Sequence, residues 1–390
     1  MKKKIAILGS TGSIGKNTID VFKKDKKNFK IFILSTNKNV NTLIKQAKEF
    51  KVKYLIINDY VEFIKARKIY KNTSFKFYNN FHCLDKILNK NKLYYAMISL
   101  VGIDGLYPTL KIIKYCKNVA IANKESLICA WNLIKKELFK YSTNFIPVDS
   151  EHFSIFCLTK NLDTTNIKKI YITASGGPFL NHRISDFKNI TLNQSLKHPS
   201  WKMGKKITVD SSTLMNKVFE VIEAKNIFNI SFKKISILTH PNSYLHAIVQ
   251  LYDGTFRILL HNPDMKIPIR NSIYFRDNNY PKFISSKLNL KLLNNLNLNF
   301  VDAKKFPLVK LLKNFNDNSS QYATVLITIN DYFVSKFLEK KINYLKLVKL
   351  IESQANRKIF LRFKKNSVKN IDDIKNIRKY VYSKLQSLGI

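Results

Sequence analysis

Two patterns of apolar and polar positions follow one another along the first third of the chain. Short apolar runs typical of buried strands occupy residues 4–8, 29–35 and 54–58, and segments with helical spacing lie between them at 16–24 and 41–50. Further strands are expected at 95–100, 118–122 and 144–147. Because strands that alternate with helices form a parallel sheet with helices on both faces, the pattern predicts an α/β domain.

The rest of the chain is organised differently. Most polar and glycine-containing motifs fall in the middle third, for which we expect a central α+β domain. After Phe306 the apolar positions recur at helical spacing, as in Ile374, Ile377 and Val381, so a helical C-terminal domain is expected. Residues 277–299 are rich in Asn, Lys and Ser and contain one Pro, which predicts a surface linker.

Composition and charge narrow the class of protein. No apolar run approaches the roughly 20 residues of a membrane helix, so we expect a cytoplasmic protein with no membrane segment. A net charge of +42 admits nucleic-acid binding, but only 8 of the 68 basic residues are Arg, and Lys is spread along the chain. The even distribution of lysine indicates a general bias in amino-acid composition rather than a nucleic-acid-binding patch. We therefore expect no nucleic-acid partner. The four cysteines are widely spaced and are expected to be reduced packing residues.

A glycine-rich turn links the first predicted strand to the first helix. Gly9, Gly12 and Gly15 lie in the sequence GSTGSIG, where glycine permits a tight turn and close approach of the backbone to phosphates. This placement predicts a Rossmann-type dinucleotide-binding domain, although a purely structural turn would contain the same residues. After the second strand, Lys38 stands among neutral amides where an acidic residue would select NAD, which favours NADPH. A solvated surface lysine is the alternative in so lysine-rich a chain.

Two pairs of carboxylates are candidates for binding a divalent cation. Asp149 and Glu151 follow the last predicted strand, and in an extended segment they would face the same way while Ser150 points elsewhere. Glu220 and Glu223 are three residues apart on a predicted helix and would share one of its faces. Hard oxygen ligands of this kind suit Mg²⁺ or Mn²⁺.

Donors suited to a phosphate group precede the second acidic pair. Ser211, Asn216 and Lys217 offer hydroxyl, amide and ammonium groups near a predicted helix start, and Ser175 in the sequence SGGP adds a hydroxyl. A capped and solvated helix start would contain the same residue types, so both interpretations remain open.

A lid is expected at residues 198–204, which have the sequence HPSWKMG. The segment lies between two polar stretches and contains Trp201, one of only two tryptophans in the chain. A tryptophan in a glycine-flanked loop suits a cover over a bound substrate, and a hydrophobic anchor is the alternative.

Taken together, these segments resemble the 1-deoxy-D-xylulose 5-phosphate reductoisomerase family over almost the whole chain. The strongest pieces are GSTGSIG from Gly9, ANKES from Ala122, PVDSEH from Pro147, SGGPF from Ser175 and the stretch from His198 through Glu223. The likeness implies an NADPH-binding Rossmann-type domain at 1–149, a catalytic domain at 150–276 with its flap near 198–204, a linker at 277–305 and a helical domain at 306–390.

The resemblance also implies a role for each matching residue. Asp149, Glu151 and Glu220 would bind Mg²⁺ or Mn²⁺, with Co²⁺ as a further candidate, and together with Lys124 they would be catalytic. The substrate would contact Lys124, Ser150, Glu151, Ser175, His198, Trp201, Ser211, Asn216, Lys217 and Glu220. NADPH would contact Thr11, Gly12, Ser13, Ile14, Asn37, Lys38, Asn39, Asn123, Glu125 and Gly204.

A member of this family would rearrange 1-deoxy-D-xylulose 5-phosphate and reduce it with NADPH to 2-C-methyl-D-erythritol 4-phosphate, a step of non-mevalonate isoprenoid biosynthesis, as a homodimer. Asn37 stands where glycine is common, and Asn330-Asp331 replaces the more usual Asn-Glu, but the implied donors are intact, so activity is expected. Two alternatives are an NADPH dehydrogenase of a sugar phosphate that does not isomerise it, and a basic nucleic-acid-binding protein with a degenerate cofactor domain.

Overall fold

The computed structural model describes residues 2–275 and 288–389, which form two compact units. The first comprises residues 2–153 with 264–275, and the second comprises 154–263 with 288–389. Within these described ranges, no helix is both long and apolar enough to cross a membrane.

The first unit is built on seven parallel strands in the order β4-β3-β2-β1-β5-β6-β7. The strands are β1 (Lys3–Leu8), β2 (Phe29–Thr36), β3 (Tyr54–Ile57), β4 (Lys76–Asn79), β5 (Leu93–Ile98), β6 (Cys116–Ile121) and β7 (Asn144–Pro147). The helices are α1 (Ser13–Lys23), α2 (Val40–Phe50), α3 (Tyr60–Ile69), α4 (Leu84–Leu88), α5 (Leu106–Ile113), α6 (Lys124–Lys140) and the start of α7 (Ser150–Leu158). The predicted Rossmann-type parallel sheet is confirmed.

Continuous apolar strands explain why helices cover both faces of this sheet. Ile5 through Leu8 in β1 are fully buried, and so are Tyr95 through Ile98 in β5. A strand that is buried on both faces needs apolar side chains at every position rather than at alternate ones. Because all strands run the same way, the segments that follow β1, β2, β6 and β7 meet at one edge, which is where such sheets bind ligands.

The second unit contains a five-stranded mixed sheet in the order β11-β10-β8-β9-β12. Its strands are β8 (Ile167–Ala174), β9 (Ile235–Thr239), β10 (Leu245–Leu251), β11 (Phe256–Leu260) and β12 (Asn299–Phe300), of which only β8 and β9 pair in parallel. Helices α8 (Leu192–Ser195), α9 (Lys205–Ser212) and α10 (Met215–Phe228) precede β9. Val221 and Ala224 of α10 pack with Ile170 and Ile172 of β8, so the helix that carries the second acidic pair rests on this sheet.

Helix α11 (Lys266–Ile273) belongs to the first unit, although the sequence-based boundaries placed its residues in the catalytic domain. It packs on α1. The hydroxyl groups of its Ser272 and of Tyr95 are 2.7 Å apart, and the Tyr274 hydroxyl donates a 2.6 Å hydrogen bond to Asp25. The compact units thus divide the chain differently from the boundaries expected from the sequence.

The C-terminal part is helical, as predicted, and it packs within the second unit. It contains α13 (Tyr322–Leu338), α14 (Tyr344–Ala355), α15 (Lys358–Leu361) and α16 (Ile371–Gln386), and α12 (Leu290–Asn294) precedes it. Most of α13 is buried, and α14 and α16 pack against it. Part of the predicted linker, 276–287, lies outside the described residues; α12 and β12 lie in the remainder.

Candidate active site

The turn after β1 lets the next helix approach the strand closely. Gly9 has φ +89°, and a Cβ there would stand 2.5 Å from the Ser99 carbonyl oxygen. A Cβ on Gly15 would stand 2.2 Å from the Gly9 carbonyl oxygen, so only glycine fits at this contact. Helix α1 begins at Ser13, and its N-cap Gly12 provides no side-chain cap. A helix start of this kind favours an anionic group, as the sequence predicted for Thr11 through Ile14.

The residues that follow β2 lie at the same edge of the sheet. Asn39 caps α2 by accepting a 3.1 Å hydrogen bond from the Thr42 amide. Lys38 is 73% exposed, and its Nζ is 3.6 Å from Asp59 Oδ2. The Glu62 amide, with a smaller contribution from Lys38, holds the pKa of the Asp59 carboxyl below its usual value. Lys38 is therefore available to solvent but has a charged acidic neighbour at neutral pH.

Asn123 organises the segment after β6. Its Oδ1 accepts a 2.9 Å hydrogen bond from the Ser126 amide, and its Nδ2 donates to the Leu100 and Gly102 carbonyl oxygens at 2.8 Å each. The side chain therefore caps α6 and holds the loop after β5. This position presents Lys124, the first residue of α6, at the edge of the sheet, with the buried Glu125 beside it.

Asp149 and Glu151 lie at a helix start, and the prediction that they sit in an extended segment is wrong. β7 ends at Pro147 and α7 begins at Ser150. The Ser150 hydroxyl donates a 2.6 Å hydrogen bond to Glu151 Oε2, so it does not point elsewhere as expected. The extended interpretation required the strand to continue through Asp149. The strand instead ends two residues before it, and the backbone bends at Asp149.

The environment of Asp149 fits a cation ligand. Lys124 Nζ forms an ion pair with its Oδ2, while Oδ1 is buried and accepts no hydrogen bond from any residue in the described ranges. The ring of the fully buried His152 lies beside it, with Nδ1 3.7 Å from Oδ1. A buried carboxylate oxygen with no donor is costly unless a cation or water occupies the place.

In the second unit, Glu220 is 2% exposed and two nearby side chains on α10 donate to it. Asn216 Nδ2 donates to Oε1, and Lys217 Nζ lies 2.6 Å from Oε2. Glu223 follows one turn later and is also buried. The predicted grouping of amide, ammonium and carboxylates on one helix is therefore present, in the helix Met215–Phe228.

Ser175 and His198 form a small network whose hydrogen positions follow from its geometry. His198 Nδ1 accepts hydrogen bonds from the Ser200 and Trp201 amides at 3.1 and 2.9 Å, so this nitrogen carries no proton. Nε2 then carries the proton of a neutral ring and donates to Ser175 Oγ at 3.1 Å. Because the Gly177 amide also donates to this oxygen, the Ser175 hydroxyl proton can point to a ligand.

The second serine of the predicted phosphate site lies against the same loop. A Cβ on Gly177 would stand 2.9 Å from the Ser211 carbonyl oxygen, so the glycine lets the Ser175 loop rest directly on the end of α9. Leu214, which joins α9 to α10, has a left-handed backbone with φ 59°. Such strain in a buried leucine is tolerated only where the surroundings impose it, and functional sites are a common place for it.

The predicted flap segment contacts the sheet of the second unit through Trp201. Its ring lies edge-on to His246, with centroids 6.3 Å apart, and His246 stacks on His261 at 3.8 Å. Gly204 ends the segment and is the N-cap of α9. The flap is thus continuous with the helix that ends beside Ser211.

Sequence reasoning gave no role to three buried residues near these groups: His152, Asp210 and Asn330. His152 follows Asp149 by three residues, a spacing that would have linked them had a helix start been predicted. Asp210 and Asn330 hydrogen-bond to one another although 120 residues separate them, and no local pattern could reveal that pairing.

A parallel sheet with a glycine turn after its first strand is typical of dinucleotide-binding proteins, and the second unit adds buried carboxylates and donors suited to a phosphate group. Three family models match the chain: 1-deoxy-D-xylulose 5-phosphate reductoisomerase at residues 5–131, its C-terminal domain at 145–228, and the DXP reductoisomerase C-terminal domain at 260–383. The chain belongs to the 1-deoxy-D-xylulose 5-phosphate reductoisomerase family.

Relatives match over the full length. The enzyme of this name from Pelagibacter ubique is 51% identical over 389 residues and is covered completely, as is this chain. The one from Clostridium tetani is 39% identical, with 98% of this chain and 99% of the relative covered. The Zymomonas mobilis structure in complex with NADPH has a TM-score of 0.88 at 28% identity, covering 100% of this chain and 99% of that one. A structure with NADPH, fosmidomycin and magnesium has a TM-score of 0.89 at 29% identity, covering 99% of each chain.

Proposed function

We propose that this protein converts 1-deoxy-D-xylulose 5-phosphate to 2-C-methyl-D-erythritol 4-phosphate with NADPH and a divalent cation, as a step of non-mevalonate isoprenoid biosynthesis. The observation that supports this most directly is Asp149, whose carboxylate pairs with Lys124 through one oxygen and keeps the other buried without a donor among the described residues. Solved relatives contain NADPH and magnesium, which agrees with a cation at a carboxylate of this kind.

Asp149, Glu151 and Glu220 would hold Mg²⁺ or Mn²⁺, with Co²⁺ as a further candidate. All three offer hard oxygen donors, and two of them are already oriented by neighbours: Asp149 by Lys124, and Glu220 by Lys217. Orientation by a neighbour keeps a ligand in place before the ion arrives. When bound, the ion supplies Lewis-acid polarisation and NADPH supplies the hydride.

Lys124 would stabilise negative charge on the substrate oxygens during the rearrangement. Its side chain is 14% exposed and its ammonium group stands beside Asp149, where little water screens it. Ser150 and His198 would contact the carbon chain of the sugar, and the neutral state of His198 lets its Nε2 proton serve as a donor. Trp201 would cover the substrate and exclude water when the flap closes.

The substrate phosphate would be bound by Ser175, Ser211, Asn216 and Lys217. These residues bring two hydroxyls, an amide and an ammonium group, which together suit an anion with several acceptor oxygens. Binding energy from this unreactive phosphate can be used to close the flap and orient the reacting carbons.

NADPH would bind the carboxyl edge of the parallel sheet. The start of α1 with Thr11, Gly12, Ser13 and Ile14 would hold the pyrophosphate. Asn37, Lys38 and Asn39 would contact the adenosine phosphate, and Lys38 would supply the charge that prefers NADPH to NADH. Asn123, Glu125 and Gly204 complete the proposed contacts.

We further propose a cytoplasmic homodimer without nucleic-acid or membrane partners. β11 is an edge strand, and its Phe256 and Ile258 are 58% and 47% exposed. An apolar edge strand favours pairing with another chain, and a second copy of this chain is the partner we propose.

An NADPH oxidation assay with 1-deoxy-D-xylulose 5-phosphate tests the function. We expect loss of nicotinamide absorbance with Mg²⁺ or Mn²⁺, and none after rigorous chelation. Full activity without metal would contradict the metal ligands, and activity with NADH alone would contradict the role of Lys38. Reduction of a supplied aldehyde without turnover of the ketose would indicate a simple dehydrogenase. Salt-sensitive binding to DNA or RNA without NADPH oxidation would favour the nucleic-acid alternative.

A further inference from the structure

Helix α9 joins two parts of the proposed site. It begins directly after the flap, with Gly204 as its N-cap, and its last two residues are Ser211 and Ser212. Ser211 is one of the proposed phosphate donors. Any displacement of α9 along or about its axis would therefore move the end of the flap and a phosphate donor together.

The side chain that holds the end of α9 comes from α13. Asn330 is fully buried, and its Nδ2 donates a 2.8 Å hydrogen bond to Asp210 Oδ1. Asp210 is 3% exposed, and its other oxygen lies 3.4 Å from Lys206 Nζ, which also lies 3.0 Å from Asp331 Oδ1. A hydrogen bond to a charged acceptor is stronger than a neutral one, and its loss costs more where water cannot replace it.

A second bond holds the same helix end from α14. The Tyr344 hydroxyl donates a 2.7 Å hydrogen bond to the Ser212 carbonyl oxygen, which is too near the end of α9 to have a partner within the helix. The Tyr344 ring packs on Phe179 with centroids 5.0 Å apart, in the segment that follows Ser175. The C-terminal helices thus contact both serine-bearing segments of the proposed phosphate site.

We propose that Asn330 is a positioning residue for the substrate phosphate, acting through Asp210 on the part of α9 that presents Ser211. The inference rests on the proposed function. Asn330 contacts neither substrate nor cofactor in this scheme. It differs from a purely structural residue because its loss weakens phosphate binding more than it affects the reduction step.

Asn330→Ala is the direct test, with Asn314→Ala as its matched control. Asn314 is also buried in the second unit, where its Nδ2 donates to the Tyr322 hydroxyl at 3.1 Å and to Asn356 Oδ1 at 2.9 Å, and no described bond joins it to α9. Both variants should have a lower Tm. Only Asn330→Ala should raise the KM for the sugar phosphate, by about tenfold, with kcat and the KM for NADPH little changed.

Calorimetric titration of the metal-loaded protein with 1-deoxy-D-xylulose 5-phosphate, without NADPH, gives a second readout that needs no turnover. We expect Kd to rise in Asn330→Ala by the same factor as KM. If the wild type binds and turns over the sugar phosphate while the two alanine variants bind it equally well, Asn330 is structural only and the proposal is overturned. If the wild type neither binds nor converts it, the proposed function fails and this inference fails with it.

Discussion

At the scale of single residues, Glu220 allows the sharpest separation of charge from shape. Glu220→Gln keeps the volume and one oxygen that can accept the bond from Lys217, but it removes the negative charge that we assign to the cation and replaces the oxygen that accepts from Asn216 with an amide nitrogen. We expect kcat to fall by about 100-fold or more, because charge stabilisation worth several kcal/mol is lost. Kinetics at saturating Mg²⁺ measure this, with Glu352→Gln on α14 as a control that should behave like the wild type. Wild-type turnover by Glu220→Gln would remove this residue from the ligand set.

Lys38 and Asp59 form a pair of opposite charges whose separate removal should have opposite effects. Lys38→Ala should raise the KM for NADPH about tenfold without changing kcat, because the lysine contacts only the unreactive 2′-phosphate. Asp59→Asn keeps the N-cap of α3 and removes the carboxylate 3.6 Å from Lys38, so the KM for NADPH should fall. Kinetics of both variants with NADPH and with NADH test the role of Lys38. Equal changes in KM for the two cofactors would contradict that role.

The candidate residues that the sequence revealed are those in compact motifs. Asp149 and Ser175 each lie in a short run with an unusual combination of chemistry, so a cation role and a phosphate role could be predicted from neighbours in the chain, although the backbone predicted for Asp149 was wrong. Lys124 was implied only by the family resemblance of its segment. Asp210 and Asn330 look like ordinary polar residues of helices. Their burial depends on how distant segments pack, and this information is absent from any local pattern.

At the scale of elements, the flap that precedes α9 should report on binding through Trp201. Its fluorescence should change when 1-deoxy-D-xylulose 5-phosphate binds, because closure would move the indole from its edge-on contact with His246. The only other tryptophan, Trp131, packs on Phe145 in the first unit. Trp201→Phe should therefore abolish most of the response, while Trp131→Phe should retain it. A response that persists in Trp201→Phe would assign it to Trp131.

Six strands of the parallel sheet could be predicted to within two residues, since each is an apolar run bounded by polar turns. The seventh, β4, was not predicted, because its residues are only partly buried and it has no such run. The transition from β7 to α7 could not be predicted from the sequence. Asp149, Ser150 and Glu151 suit an extended segment and a helix start equally well, and the structure has a helix start there. The position of α11 in the first unit was also beyond prediction, because it depends on a long-range return of the chain.

At the scale of the whole molecule, the exposed edge of the second sheet should control assembly. Ile258→Lys places a charge on β11, and we expect the proposed dimer to dissociate into monomers because a charged edge strand resists pairing. Sedimentation velocity measures the mass in solution. Phe139→Lys, at a 90% exposed position on α6, is the control and should leave the mass unchanged. A dimer that survives Ile258→Lys would place the interface elsewhere.

Because α9 connects the flap to a phosphate donor, two separate fragments of the substrate should influence each other's binding. Helix α9 spans only eight residues, so Gly204 at its start and Ser211 near its end move together. An inorganic phosphate ion bound near Ser211 would fix the position of Gly204 and the flap, which would favour binding of a phosphate-free sugar. The two fragments should therefore bind cooperatively, each lowering the ordering cost of the other. A molecule that links the two fragments would also gain affinity in this way, although it need not contact α9 along its length.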